Sequence, residues 1–292
     1  MQAKRKKSNK AKDHDAGAAD KLRLPDYFEL LARFHEGFKN ELRAIIRSLP
    51  LHSEMHIADV VCGDGFYSEL LAERVSATGS ITGFDPNRAF LTQAKKIATS
   101  SESAAKRVWS DDTVEKAAKQ ATKFDLVWCA QSLFSFPEPV QALSQLSGLL
   151  KPGGFLCVLE NDTLHQCLLP WPSDMELMIR FAEYEALKTE SNHPQKFYVG
   201  RRLPFLFHEA GIETLHFRTQ AIDRRPPLSP ALESFIDCYL EDLLERIKPF
   251  VKKSFLHRVK TYVGDLKVSP HFSLSWLNVL IWGRKSPRML SP

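Results

Sequence analysis

No run of eighteen or more apolar residues occurs in the 292-residue sequence, so no segment reads as a membrane span. The N-terminus has no apolar stretch of the kind a secretory signal requires. Cysteine is sparse and unpaired. Cys62, Cys129, Cys157, Cys167 and Cys238 are odd in number, and no two form a Cys-Xaa-Xaa-Cys pair. This pattern argues against a disulfide framework or a cysteine metal site and predicts buried free thiols in a reducing, cytoplasmic compartment. Excess charge is also missing from most of the chain. The formal net charge is +5, but Lys4, Arg5, Lys6, Lys7, Lys10 and Lys12 all precede the first acid, Asp13. Beyond residue 12 the chain holds 34 basic against 35 acidic side chains. A neutral body makes nucleic acid an unexpected main partner, leaving at most weak contact through the basic tail. Residues 1–21 have almost nothing to bury and predict a disordered tail. The rest, residues 22–292, reads as one globular domain.

What is present begins with Ile57-Ala58-Asp59-Val60-Val61-Cys62-Gly63-Asp64-Gly65-Phe66: a short apolar strand, a glycine turn and the start of a helix. A second strand, Ile81 to Phe84, ends in Asp85, twenty residues after Gly65. That spacing is the plan of a nucleotide-type pocket, in which glycine admits the ligand to the backbone and the second carboxylate accepts from ribose hydroxyls. As a dinucleotide fingerprint it is poor, because Ser68 stands where the third glycine belongs and Asp64 would face a pyrophosphate. S-adenosylmethionine has no phosphate and carries a sulfonium and an ammonium, beside which Asp59 and Asp64 are acceptable.

Apolar spacing predicts a long amphipathic helix from Pro25 to Leu49. After the second strand come a helix from Asn87, a strand at Arg107–Trp109 ending in Ser110-Asp111-Asp112, and a buried strand Phe124–Cys129. A helix from Pro139 then leads to the Lys151-Pro152-Gly153-Gly154 turn and a fifth strand, Phe155–Glu160. Alternation at this spacing predicts an α/β, doubly wound, mostly parallel sheet of seven strands. The last strand, Leu274 to Gly283, is expected to return antiparallel. A sixth strand is expected from Thr214 to Ala221. Residues 22–160 form the expected core, and helical insertions over 161–199 and 223–270, after strands five and six, form an expected lid.

The succession Asp59…Gly63-Asp64-Gly65, Asp85, Asp111, Phe124-Asp125-Leu126-Val127 and Leu150-Lys151-Pro152-Gly153-Gly154 resembles the class I S-adenosylmethionine-dependent methyltransferases. The resemblance covers roughly residues 55–160 and points to the small-molecule members. It implies that the methionine part of S-adenosylmethionine lies against Gly63, Asp64 and Gly65, with Asp59 near its ammonium. Asp85, beside Pro86, would hold the ribose. Asp111 or Asp112 would accept from the adenine amino group, and Cys129 and Gln131 would border the site from the fourth strand. One departure stands out: Val61 occupies a position where the family usually has glycine. If that position needs a positive φ, a β-branched residue is costly there.

The loop Cys129-Ala130-Gln131-Ser132 lacks the Asp/Asn-Pro-Pro-Tyr signature of relatives that methylate adenine or glutamine nitrogen. The expected acceptor is therefore small and partly apolar, bound above the strand ends, with methyl transfer by in-line displacement. An oxygen or carbon acid also needs a base, for which His165 is the first candidate and Asp162 a second. No metal site is expected. An inactive relative that binds a partner, and an NAD-dependent oxidoreductase, remain alternatives, and the oligomeric state is not legible.

Overall fold

The computed structural model describes residues 23–119, 121–190 and 197–285. The expected basic tail over 1–21 lies outside the described residues.

The amphipathic segment near the N-terminus forms α1, Phe28–Arg47, which buries Phe34, His35, Phe38, Leu42, Ile45 and Ile46 on one stripe. The alternating part follows as β1 His56–Val60, α2 Phe66–Ala72, β2 Ser80–Phe84, α3 Arg88–Thr99, β3 Lys106–Ser110, α4 Val114–Ala118 and β4 Phe124–Ala130. Next come α5 Pro139–Gly148, β5 Leu150–Glu160, the two-residue β6 Cys167–Leu168, α6 Ser173–Glu190 and α7 Val199–Glu209. The chain finishes with β7 Ile212–Arg224, α8 Pro230–Ile247, α9 Lys253–Lys267 and β8 Leu274–Lys285. Ser229 caps α8 by accepting from the Leu232 amide, and Asn87 caps α3 by accepting from the Ala89 amide.

The sheet runs β3-β2-β1-β4-β5-β8, with β7 paired to the far edge of β8 and β6 extending the β5 side. Strands β1 to β5 pair in parallel, and β8 lies antiparallel between β5 and β7. All seven expected strands are present. The extra β6 is a two-residue bridge whose length was too short to leave a periodic signal. The Lys151–Gly154 turn is not a break before β5 but a bulge within it. Phe124 pairs with Leu150 and Leu126 with Phe155, so four residues bow out opposite Asp125. Lys151 crosses that bulge to bind both Asp125 carboxylate oxygens at 2.9 Å, and the His56 amide donates to the same group at 2.8 Å. Asp125 thus fastens the N-terminal ends of β1, β4 and β5 together, far from their opposite edge.

Each sheet face carries its own core. One packs α1, α6 and α8 against Trp128, Leu159, Trp276 and Leu280; the other packs α5 and α7 against Val127, Val158 and Ile281. Phe235 of the second insertion lies 5.8 Å, ring to ring, from Phe34 and 5.3 Å from Phe38. The second insertion therefore packs directly on α1, and the two form one layer above that face. Among the described residues no helix is long and apolar enough to cross a membrane.

Candidate functional site

Strand order reverses between β1 and β4, since β1 leads outward to β2 while β4 leads to β5. In open α/β sheets a crevice forms at that switch, beyond the C-terminal ends of the strands. Both positive-φ non-glycine residues among those described lie there. Val61 (φ 57°) is the first residue after β1, and Gln131 (φ 50°) the first after β4. A β-branched residue in that region carries a strain of about 1–3 kcal/mol, which neighbouring structure must hold in place. The cost anticipated for Val61 is therefore real, and the fold bears it.

The turn that follows is built around glycine. Gly65 has φ 82°, and a Cβ there would come within 2.8 Å of the Ala94 Cβ. Gly63 has φ 55°, yet a Cβ on it would meet nothing within 4 Å, so its outer side faces open space. Asp85 at the tip of β2 orders this turn: its Oδ2 accepts from the Gly63 amide at 2.9 Å and its Oδ1 from the Asn87 amide at 2.8 Å. Asp64 accepts from the Phe66 amide at 3.2 Å, and Asp59 from the Ser68 hydroxyl at 2.6 Å. Ser68, at the place of the missing third glycine, thus holds the β1 carboxylate.

Three buried carboxylates consequently face one short turn. Among the described residues no Lys or Arg forms an ion pair with any of them. Burial pushes the Asp59 carboxyl up to about 7, with Asp85 and Asp64 adding to the rise and Ser68 opposing it. Burial also raises Asp85, against the two amides that stabilise its charge. The nearest basic group is His35 of α1, whose Nδ1 is 3.8 Å from Asp64 Oδ2. An uncompensated buried charge is expensive. This set of acceptors fits a ligand that brings positive charge and hydroxyl groups, and it repels a pyrophosphate.

The other expected residues are placed as follows. Pro86 is half-buried next to Asp85. Asp111 is exposed and paired with Arg88 at 2.6 Å, which holds its carboxyl below the usual range. Asp112 accepts from the Ser110 hydroxyl at 2.8 Å. Cys129 is fully buried in the core of the second face. The Gln131 side chain meets the Tyr67 hydroxyl at 3.5 Å. Asp162 is drawn away from base chemistry: it binds the Arg201 guanidinium and accepts from the Arg201 amide at 3.1 Å, tying the β5 exit to α7. His165 stacks on Tyr198 at 5.7 Å, with a buried, unpartnered Nδ1. Desolvation, then Arg180 and Arg201, lowers its pKa, so the ring is neutral at physiological pH and can accept a proton. Trp171 packs on Tyr262 and Phe197 on Tyr184.

Two residues had no role assigned from sequence. Glu160, at the end of β5, is fully buried and accepts from the Ser132 and Leu133 amides, while its Oε2 has no partner. Burial pushes its carboxyl up to about 8, so it is mostly protonated at neutral pH. The other is His35. The only hint in the sequence was a polar residue set on the apolar stripe of α1, between Phe34 and Phe38. A cleft of about 450 Å³ bordered by Ala72, Glu73, Val75 and residues 101–104 lies at the opposite end of α2 and gathers none of these groups.

Comparison with known proteins agrees with this layout. Residues 51–200 match a family model described as "Methyltransferase domain". Demethylmenaquinone methyltransferase of Lactiplantibacillus plantarum is 29% identical over 181 residues, covering 58% of this chain and 74% of that protein. Ubiquinone biosynthesis O-methyltransferase of Coxiella burnetii is 32% identical over 101 residues, covering 35% of this chain and 41% of that protein. Among solved structures, an S-adenosylmethionine-dependent methyltransferase of Thiobacillus denitrificans, in complex with S-adenosylhomocysteine, superposes with a TM-score of 0.52 at 15% identity. That match covers 90% of this chain and the whole of the other, and shares its fold.

Proposed function

The chain belongs to the methyltransferase-domain family, and from that premise we propose that it binds S-adenosylmethionine at the β1–β4 switch and methylates a small, partly apolar acceptor. One observation carries the cofactor assignment: three buried carboxylates, Asp59, Asp64 and Asp85, meet at a glycine turn without a Lys or Arg partner among the described residues. A ligand bearing a sulfonium and an ammonium supplies the missing positive charge, and its ribose hydroxyls suit the remaining lone pairs of Asp85. The open side of Gly63 leaves room for it against the backbone. When bound, S-adenosylmethionine supplies an electrophilic methyl group for in-line transfer.

The chain's own residues do the rest. Asp59 and Asp64 favour the cationic end of the ligand, and Asp85 orients the turn and the ribose together. Asp111 reaches adenine only by exchanging Arg88, so the adenine end is held more loosely than the ribose. The layer of α1, α6 and α8 above the face limits water near the strand ends. To His165, whose pKa burial and then Arg180 and Arg201 lower, we assign the removal of a proton from an acceptor hydroxyl or carbon acid. The names of the relatives, a demethylmenaquinone methyltransferase in L. plantarum and an O-methyltransferase of ubiquinone biosynthesis in C. burnetii, support an acceptor of the quinone ring type.

The test is calorimetric titration with S-adenosylhomocysteine, with NAD as the parallel control. Micromolar binding of S-adenosylhomocysteine alone is expected; binding of NAD alone would overturn the cofactor, and binding of neither would favour an inactive, partner-binding protein. His165→Ala should keep that affinity and slow transfer by about 10²-fold, a typical general-base effect. Normal turnover in the variant would assign His165 to packing.

A further inference from the structure

Among the described residues His35 is the basic group that pairs with a carboxylate of this turn, and the hydrogen bonds of its ring are unmade. The residue is 6% exposed, and neither Nδ1 nor Nε2 has a hydrogen-bond partner. Its ring lies flat on Phe66, with centroids 4.0 Å apart and planes 8° from parallel, and meets Tyr67 edge-on at 5.5 Å. Phe66 and Tyr67 open α2 directly after the glycine turn, so the stack fixes the imidazole over that turn. Nδ1 stands 3.8 Å from Asp64 Oδ2, beyond direct hydrogen-bond length. Buried polar nitrogens are nearly always paired, and one left unpaired needs an explanation.

We infer that His35 is a binding residue for the amino-acid end of the cofactor, donating to its carboxylate while Asp59 and Asp64 take its ammonium. This rests on the cofactor reading above and adds a residue to it. The reasoning is electrostatic. A zwitterionic amino-acid group brings a negative charge to a turn already lined by three carboxylates, so it requires a donor. Backbone amides can supply part of that need, but the Gly63 and Phe66 amides are taken by Asp85 and Asp64. The imidazole has an N–H to donate and is held by stacking, so little side-chain freedom is lost on binding. The same arrangement makes α1 part of the site. An N-terminal helix that packs on α8 through Phe34 and Phe38 presents His35 to the turn from a position between them.

The experiment compares two ligands on three proteins by calorimetry. S-Adenosylhomocysteine has the amino-acid end, and 5′-methylthioadenosine lacks it while keeping the adenosine and the thioether. In His35→Phe, which preserves the stack on Phe66, affinity for S-adenosylhomocysteine should fall about ten-fold, the size of one hydrogen bond to a charged group, with methylthioadenosine unchanged. His35→Gln should recover part of the loss by restoring a donor. Equal loss of both ligands, or no loss in His35→Phe, would overturn the assignment and leave His35 as a packing residue of α1. If the unaltered protein binds methylthioadenosine and S-adenosylhomocysteine equally well, the amino-acid end is not read and the assignment also falls. Failure of the unaltered protein to bind either ligand would instead sink the cofactor itself.

Discussion

Two acids in this molecule are equally buried and held in opposite ways. Glu183, 1% exposed in α6, lies between Arg180 at 2.6 Å and Arg246 at 3.5 Å. Asp59, 2% exposed at the end of β1, has a serine hydroxyl and two further acids for company. Burial raises the pKa of both, but two arginines pull Glu183 back, whereas Asp85 and Asp64 push Asp59 in the same direction as burial. Where the chain only has to hold α6 and α8 together it completes its ion pairs. At the strand ends it leaves the positive charge to be supplied from outside, and folding stability is lower there as a result.

The largest effect that would test this contrast is at Glu183. Glu183→Ala strands Arg180 and Arg246 and should cost about 3 kcal/mol in urea unfolding, softened because Glu176 and Asp242 still pair with them. S-Adenosylhomocysteine affinity of the folded variant should not change. Lost binding would mean that the α6–α8 network also shapes the site. Asp85→Ala should act the other way, weakening that ligand by about 2 kcal/mol, the loss of hydrogen bonds to a charged group. Unchanged affinity would remove Asp85 from the site.

The third test is of pH. The Asp59 carboxyl titrates near 7 in the folded protein against an ordinary 3.8, so the folded state keeps a proton that the unfolded chain releases. Its stabilising contribution is complete below about pH 4 and is lost as pH rises to about 7. Glu160, pushed to about 8, adds a loss of the same sign that extends to higher pH. Asp59→Asn removes the first of these and should stabilise the free protein by about 2 kcal/mol at pH 8, with little change at pH 4. In the unaltered protein, S-adenosylmethionine should raise the melting temperature more at pH 8 than at pH 6, because its positive charge favours ionised Asp59. Equal shifts would break the proposed pairing. The smallest effect belongs to Val61→Gly, which should relieve the left-handed backbone at φ 57° and stabilise the fold by about 1 kcal/mol. A loss of stability would show that Val61 packing outweighs its strain.

Much of this arrangement is legible in the sequence. The strand–turn–helix at Ile57–Phe66 and the carboxylate at Asp85 are local patterns and form where the sequence placed them, whereas the Lys-Pro-Gly-Gly segment, read as a turn before β5, is a bulge inside it. For Val61 the sequence supplied only a condition, a cost if the position needs a positive φ, and the structure supplied the φ of 57°. Partners of side chains were much harder to read. Asp111 and Asp162 looked like free carboxylates, but Arg88 lies 23 positions from the first and Arg201 lies 39 positions from the second. No local spacing encodes such pairs. Asp125 belonged to a recognisable segment, yet its bond to Lys151 across the β5 bulge gives it a structural task.

The sequence by itself determined the order of elements, the glycine turn and the identity of the family, because these depend on residues near one another in the chain. Only the tertiary structure decided that Glu160 is a buried, neutral acid with an unpartnered oxygen, and that His35 of α1 comes to rest on Phe66 beside Asp64. The physical reason is that burial and pairing are properties of what surrounds a group. Here those surroundings are supplied to His35 by the glycine turn and the start of α2, and to Glu160 by the loop after β4, in each case some thirty residues away.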